Sequence, residues 1–242
     1  MSHIIEIATS DFITTQAAVD GGADRIELCS NLKEGGTTPS LGMIQQCRHL
    51  FGISIYPIIR PRGGDFLYTE EEFAIMINDI KKCKEADCDG VVTGFLNSDG
   101  SINIERTTEV VKIAYPMKVT FHRAFDRCKD PFEALEKLIA CGCTRILTSG
   151  QKPAAMDGVK LIAELIKAAA NRIIIMPGSG VRKENIKELA KLTGCTEFHS
   201  SLRTKAKSRM QFIHPAFADS EESYMNNAID PEEVMALRKA LE

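Results

Sequence analysis

The sequence predicts an α/β fold of the TIM type, a single-domain (β/α)8 barrel spanning residues 1–242. Three observations predict it. Short β-rich apolar runs alternate with longer amphipathic segments, the alternation repeats eight times, and 242 residues is the usual length for eight such units. A doubly wound open sheet shares the alternation, but its first strand–helix turn carries a glycine-rich dinucleotide fingerprint. Here that turn reads ATSDF, without glycine.

The elements follow in order. HIIEIAT (3–9) is the first strand, and Ser10 or Asp11 opens a helix over 11–22. The turn GGAD (21–24) leads into RIELCS (25–30), followed by a helix over 40–51. SIYPIIRP (54–61) precedes a helix over 70–86, whose start is marked by Thr69 with Glu72 three residues on, a capping box. GVVTGF (90–95) leads to a helix over 103–115, and KVTFHRA (118–124) to one over 131–141 that Asp130 and Pro131 open. TRILTSG (144–150), RIIIMPGSG (172–180) and TEFHSS (196–201) complete the strands, with helices over 157–171 and 183–193 between them. The polar, weakly periodic stretch 204–229 then separates the eighth strand from a last helix opened by DPEE (230–233). Loops of that length are functional or mobile, so it is read as a lid, a subunit contact or a surface excursion.

Composition narrows the function. With 44% hydrophobic and 26% charged residues the chain has the profile of a soluble globular protein. A net charge of −3 and a pI near 6.0 leave no basic footprint for nucleic acid. No apolar run is long enough to span a bilayer, and Glu6 interrupts the apolar N-terminal run, so no secretory signal is expected. Eight cysteines without such a signal point to free thiols and a cytoplasmic location.

In a barrel of this type the chemistry sits at the C-terminal ends of the strands. Alternation turns Glu6, Glu27, Arg60 and His122 inward toward that mouth, with Arg123 and Arg62 beside them. Such a mixed set is either a pocket for a small ligand with hydroxyl and anionic groups or an ion layer that satisfies itself. As a pocket, Glu27 or Glu6 is the candidate general base and His122 its acid partner, while Arg60 and Arg62 are placed to hold a carboxylate or phosphate. In the seventh unit, Gly178, Ser179 and Gly180 lie between strand and helix, where many barrels bind phosphate. Ser200, Ser201 and Arg203 follow the adjacent strand. The alternative is that these glycines only permit a tight turn.

No cysteine pair has C-x-x-C spacing, and most thiols fall at the end of the barrel opposite the mouth, as small core residues do. Cys29 and Cys128 lie near the mouth, where a soft thiolate suits Cu(I). They sit on strands two and five, which are not neighbours, so one chain is not expected to close a two-thiol site.

The runs RIELCSNLKEGGTTPS (25–40), PIIRPRGGDFLYTEEE (57–72), TFHRAFD (120–126), ILTSG (146–150) and IMPGSGV (174–181), in register along nearly the whole barrel, resemble the CutC copper-homeostasis family. The resemblance implies a cytoplasmic homo-oligomeric (β/α)8 barrel associated with copper tolerance or copper binding. Carried over by position, its recurrent mouth residues fall on Glu27, Arg60, Arg62, His122, Arg123 and Asp126, and Cys29 takes the place of the cysteine in ELC. Thr37 stands where the family usually has leucine.

Overall fold

The computed structural model describes residues 3–218 and 224–242. Eight parallel strands form the barrel: β1 (Ile4–Thr9), β2 (Arg25–Leu28), β3 (Ser54–Pro57), β4 (Gly90–Thr93), β5 (Lys118–Phe121), β6 (Arg145–Thr148), β7 (Ile174–Pro177) and β8 (Glu197–Ser200). Around them run α1 (Phe12–Asp20), α2 (Leu41–Leu50), α3 (Glu70–Glu85), α4 (Ile104–Ala114), α5 (Pro131–Cys141), α6 (Val159–Ala169) and α7 (Ile186–Thr193). The ladder comprises two four-stranded sheets, β3-β2-β1-β8 and β4-β5-β6-β7. Between β3 and β4 the link is one bridge, Ile58 to Val92. Among the described residues no ladder joins β7 to β8, and the Ser200 hydroxyl donating to the Val181 carbonyl at 2.8 Å ties that seam instead. Pro57 and Pro177, which lack an N–H to give to a ladder, lie on two of the edge strands, β3 and β7.

The helices start where the sequence places their caps. Asp11 and Thr69 form capping boxes with Thr14 and Glu72, Ser40 and Asn103 accept from Met43 N and Arg106 N, and Asp130 caps α5 ahead of Pro131. The strands are shorter than the sequence suggests. Residues 29–30, 59–61, 94–95, 122–124, 149–150 and 178–180 leave the ladder at the C-terminal end and become the loops of the mouth.

The barrel interior is ionic as well as apolar. Tyr56 fills its centre because position 90 is glycine; a Cβ there would lie 2.1 Å from the Tyr56 ring. Beside the ring, Arg25 pairs with Glu6 and with Glu197 (2.6 Å), and Arg145 reaches Glu197 at 2.7 Å. Both guanidinium groups lie over Tyr56, at 5.2 and 5.7 Å from its centroid. All four charged residues are buried, and two positive groups balance two negative ones. A self-satisfied ion layer therefore exists, but it lies in the barrel core beneath the mouth.

Beyond the barrel, the 204–229 stretch holds an antiparallel ribbon, β9 (Thr204–Lys207) paired with β10 (Met225–Ala228). Residues 219–223 of that stretch lie outside the described residues. The last helix, α8 (Pro231–Lys239), packs Val234 against Gly21 and ties Arg238 to Asp24 at 2.5 Å, at the barrel's N-terminal end.

Candidate active site at the barrel mouth

A cavity of about 330 Å3 opens at the C-terminal ends of the strands, lined among others by Glu27, Arg60, Phe66, His122, Arg123 and His199. Gly180, Arg182, Ser201 and Arg203 complete its rim.

The polar floor is a chain of three side chains on adjacent strands. Glu6 on β1 sits opposite His199 on β8 in the ladder, and its carboxylate meets His199 Nδ1 at 2.7 Å. The other ring nitrogen, Nε2, lies 3.6 Å from Glu27 Oε2 on β2. Burial pushes Glu6 up, but Arg25 and the hydrogen bond from His199 outweigh it and hold its carboxyl well below the usual carboxylate range. Among the described residues no guanidinium forms an ion pair with Glu27, and Arg25 acts on it only as a weaker, more distant charge. Burial raises its carboxyl to about 7, against the lowering charge of His199. Burial pushes the imidazole of His199 down, yet the bond to Glu6 and the charges of Glu27 and Glu6 carry it above its ordinary value. Glu6 thus orients His199, and Glu27 and His199 Nε2 face each other across 3.6 Å in the cavity lining. Gly178 makes room for this, since a Cβ there would lie 2.6 Å from Leu147 and 3.2 Å from His199.

His122 differs from expectation. Its Nδ1 accepts the Ala124 N–H at 3.1 Å, so the proton of the neutral ring is on Nε2, which is buried without a partner among the described residues. Burial, then the charge of Arg60, lower its pKa to about 3. It is therefore not the acid partner of Glu27, because it carries no second proton at neutral pH; His199 occupies that position.

Other expected ligands are also committed elsewhere. Arg60 lines the cavity, but its guanidinium donates to the carbonyls of Glu34, Gly36 and Gly64 at 2.8–3.0 Å. Arg62 turns away to Glu72 (2.5 Å) and Asp65 (3.1 Å), because Pro61 and the Gly63–Gly64 turn break the strand alternation. Asp126 accepts from Thr148, from the N–H groups of Ser149 and Gln151, and from Arg123 at 2.7 Å, so it anchors the loop after β6. Arg123 stays on the cavity, bridging Asp126 and the Ser149 hydroxyl. Glu6 lies below the cavity, under His199. Glu27, Arg60 and His122 meet at the mouth, and the fourth member of that expected set does not.

The loop after β7 keeps part of its expected character. The Gly178 N–H is given to the Thr148 carbonyl, but among the described residues no carbonyl takes the N–H groups of Ser179, Gly180 or Val181. Ser179 (φ +81) and Gly180 (φ +73) are both left-handed, and glycine at 180 relieves the strain of that conformation. The helix does not start there, however. Residues 183–185 form a turn and α7 begins at Ile186, so the helix dipole does not point at this loop. The hydroxyls of Ser179 and Ser200 are spent on the carbonyls of Pro153 and Val181. Ser201 and Arg203 remain on the rim, joined by Arg182.

No role at the site is expected from the sequence for His199, Arg182 or Phe66. His199 was legible: it shares the inward phase of β8 with Glu197, directly opposite Glu6. Arg182 and Phe66 lie in loops, where no periodicity fixes direction.

Cys29 and Cys128 belong to separate apolar clusters. Cys29 packs with Tyr56, Ile58 and Val92, and Cys128 sits by the Gln151 amide. Burial raises both thiols, Cys128 to about 12 with help from Asp126 and Asp130. Among the described residues no three His, Cys, Asp or Glu side chains are grouped to hold a metal ion.

Fold and mouth together define a (β/α)8-barrel protein with a basic-rimmed, Glu–His-floored cavity. Residues 3–204 match the CutC family, to which this chain belongs. The CutC family protein of Chromobacterium violaceum is 44% identical over 245 residues, covering 100% of this chain and 99% of its own. That of Parabacteroides distasonis is 52% identical over 213 residues, covering 88% of each. The crystal structure of a CutC protein from Streptococcus agalactiae, provisionally assigned to copper homeostasis, superposes with a TM-score of 0.77. It is 36% identical, over 82% of this chain and 98% of that one. Ribbon β9–β10 and α8 lie almost wholly beyond the family match.

Proposed function

We propose that the chain binds a small phosphate- or carboxylate-bearing molecule at the barrel mouth and moves a proton on it through Glu27 and His199. One observation carries the reading: Glu27 and His199 Nε2, 3.6 Å apart, share a cavity with Arg123, Arg182 and Arg203. A carboxyl raised to about 7 is matched to general acid–base work at neutral pH. The arginines, with the N–H groups of Ser179 and Gly180 that no carbonyl takes among the described residues, supply the counter-charge for an anion.

Copper homeostasis is the association that the family carries. A Cu(I) site needs soft thiolates in contact, whereas Cys29 and Cys128 are apart and held as thiols. The donor set thus does not fit copper held between two cysteines of one chain, and it favours the anionic ligand. Cytoplasmic residence and homo-oligomer formation, which the resemblance implies, belong to the same proposal. Among the described residues no helix is long and apolar enough to cross a membrane.

Sulfate, whose charge is constant between pH 5 and 9, tests the anion site by calorimetry. As pH rises through about 7, Glu27 gains negative charge, and His199, held above its ordinary value, does not offset it by gaining positive charge, so sulfate affinity is expected to fall. Glu27→Gln flattens that decline, and Arg203→Met weakens binding about tenfold at every pH, the equivalent of ~1.4 kcal/mol for one exposed charge-assisted contact. Absence of sulfate binding across this range overturns the proposal.

A further inference from the structure

Two features of the mouth play no part in that proton transfer: the buried imidazole of His122 and, among the described residues, the absence of an acceptor for its Nε2–H. We infer that His122 is a neutral hydrogen-bond donor for the carbonyl oxygen of the ligand, and that the substrate class is a small α-hydroxycarbonyl compound bearing a phosphate or carboxylate, whose C–H proton Glu27 removes. The inference rests on the proposed anion site and adds the reaction class to it.

Geometry fixes the state of the ring. The Ala124 N–H points at Nδ1 from 3.1 Å, so that nitrogen must offer a lone pair; a proton there would face another proton. The neutral ring then carries its hydrogen on Nε2. Position 94 is glycine, and a Cβ there would come within 2.6 Å of Nδ1, so the ring is wedged on that side. Phe66 covers it at 4.8 Å between centroids. His122 lines the cavity with its Nε2 buried and, among the described residues, without an acceptor, and a buried N–H left unpaired costs about 1–3 kcal/mol unless a ligand or water takes it. Arg60 lies close enough to oppose a second proton, which keeps the donor neutral when Glu27 is charged.

A neutral imidazole, unlike an imidazolium, polarises a carbonyl without giving its proton away in the ground state. Barrels that isomerise triose phosphates combine such a neutral ring with a glutamate base. The steps balance without a co-reactant. The Glu27 carboxylate takes the proton from the carbon bearing the hydroxyl, and the C–H electron pair forms the carbon–carbon double bond of an enediolate. The carbonyl π pair moves to oxygen, where His122 Nε2–H donates to it. Return of the proton to the neighbouring carbon, with the hydroxyl proton shifted between the two oxygens, interconverts ketose and aldose forms. Return to the same carbon exchanges that hydrogen with solvent. Nothing is oxidised or reduced overall.

The experiment uses the full chain and two probes: inorganic phosphate, and phosphoglycolohydroxamate, which joins a phosphate to a planar mimic of an enediolate. Calorimetry is combined with 15N NMR of the histidine rings. The expected result is that the hydroxamate binds about 10²-fold more tightly than phosphate, as analogues of a reaction intermediate do. The His122 Nε2–H resonance shifts on its addition, and the ring stays neutral from pH 5 to 9. His122→Ala reduces the hydroxamate to the affinity of phosphate, and His122→Gln, which keeps an N–H donor, restores part of the difference. The NMR arm on the unaltered protein decides the matter if either variant does not fold. Equal affinity for the two probes with an unmoved Nε2–H resonance overturns the carbonyl site and leaves the anion site standing. Binding of neither probe overturns both.

Discussion

Arg25→Met is expected to lower the unfolding free energy by about 3–5 kcal/mol at pH 7, the usual cost of stranding a charge in a protein interior. Arg25 is the shared partner of Glu6 and Glu197, and its guanidinium also covers Tyr56. Methionine fills similar volume, so the cavity contribution is small and the effect reports the charge. With Arg145 left as the one guanidinium among these groups, Glu6 keeps only His199 as a direct partner. The pH dependence has a definite sign. Glu6 is held below its ordinary value, so its contribution is present above about 4.5 and lost as pH falls through the lower folded value. In the variant Glu6 is free to take up a proton, so the deficit is largest at neutral pH and narrows toward acid. Urea denaturation at pH 7 and pH 5 measures both. A loss under ~1 kcal/mol at pH 7 contradicts the account of the ion layer.

Arg60→Met is the second large effect, roughly 2–4 kcal/mol. The guanidinium gathers three carbonyls, those of Glu34 and Gly36 after β2 and that of Gly64 after β3, and stacks over Phe66 at 5.2 Å. Charge-assisted bonds of this kind contribute about 1.5–3 kcal/mol each, and the loop carbonyls recover part of that from water once the arginine is gone. The variant also removes a positive charge that holds His122 neutral, so the His122 pKa is expected to rise from about 3 toward its ordinary value while burial still opposes it. Denaturation gives the first quantity and NMR titration of the ring the second. A His122 that does not move separates the two residues.

The barrel was legible because its signals are local. Apolar runs, capping residues such as Asp11, Thr69 and Asp130, and the count of eight units each depend on a few neighbouring residues. The inward phase of Glu6 and Glu27 was legible for the same reason, since strand alternation has a period of two. What those groups do there was not. Whether Glu6 serves chemistry or structure turns on Arg25 and Glu197, and the ladder register that unites them joins residues 19 and 172 positions apart. The state of His122 turns on one backbone N–H two residues ahead, which no side-chain pattern encodes. Arg62 was misjudged because Pro61 ends the alternation on which its direction was based. Ser179 and Gly180 of the GSG loop line the mouth, but α7 starts only at Ile186, so the helix terminus does not join them. Ribbon β9–β10 escaped notice because TKAK and MNNA lack the apolar–polar alternation of a half-buried strand and lie largely exposed.

Proton exchange between Glu27 and His199 at the barrel mouth is the central claim, and 13C NMR titration of the Glu27 side-chain carboxyl tests it most directly. The account predicts a midpoint near pH 7 in the unaltered protein, since burial raises this carboxyl and the charge of His199 is the largest influence limiting the rise. It further predicts that His199→Gln, by removing that charge, moves the midpoint higher. A midpoint near 4.5 that His199→Gln leaves in place would contradict it.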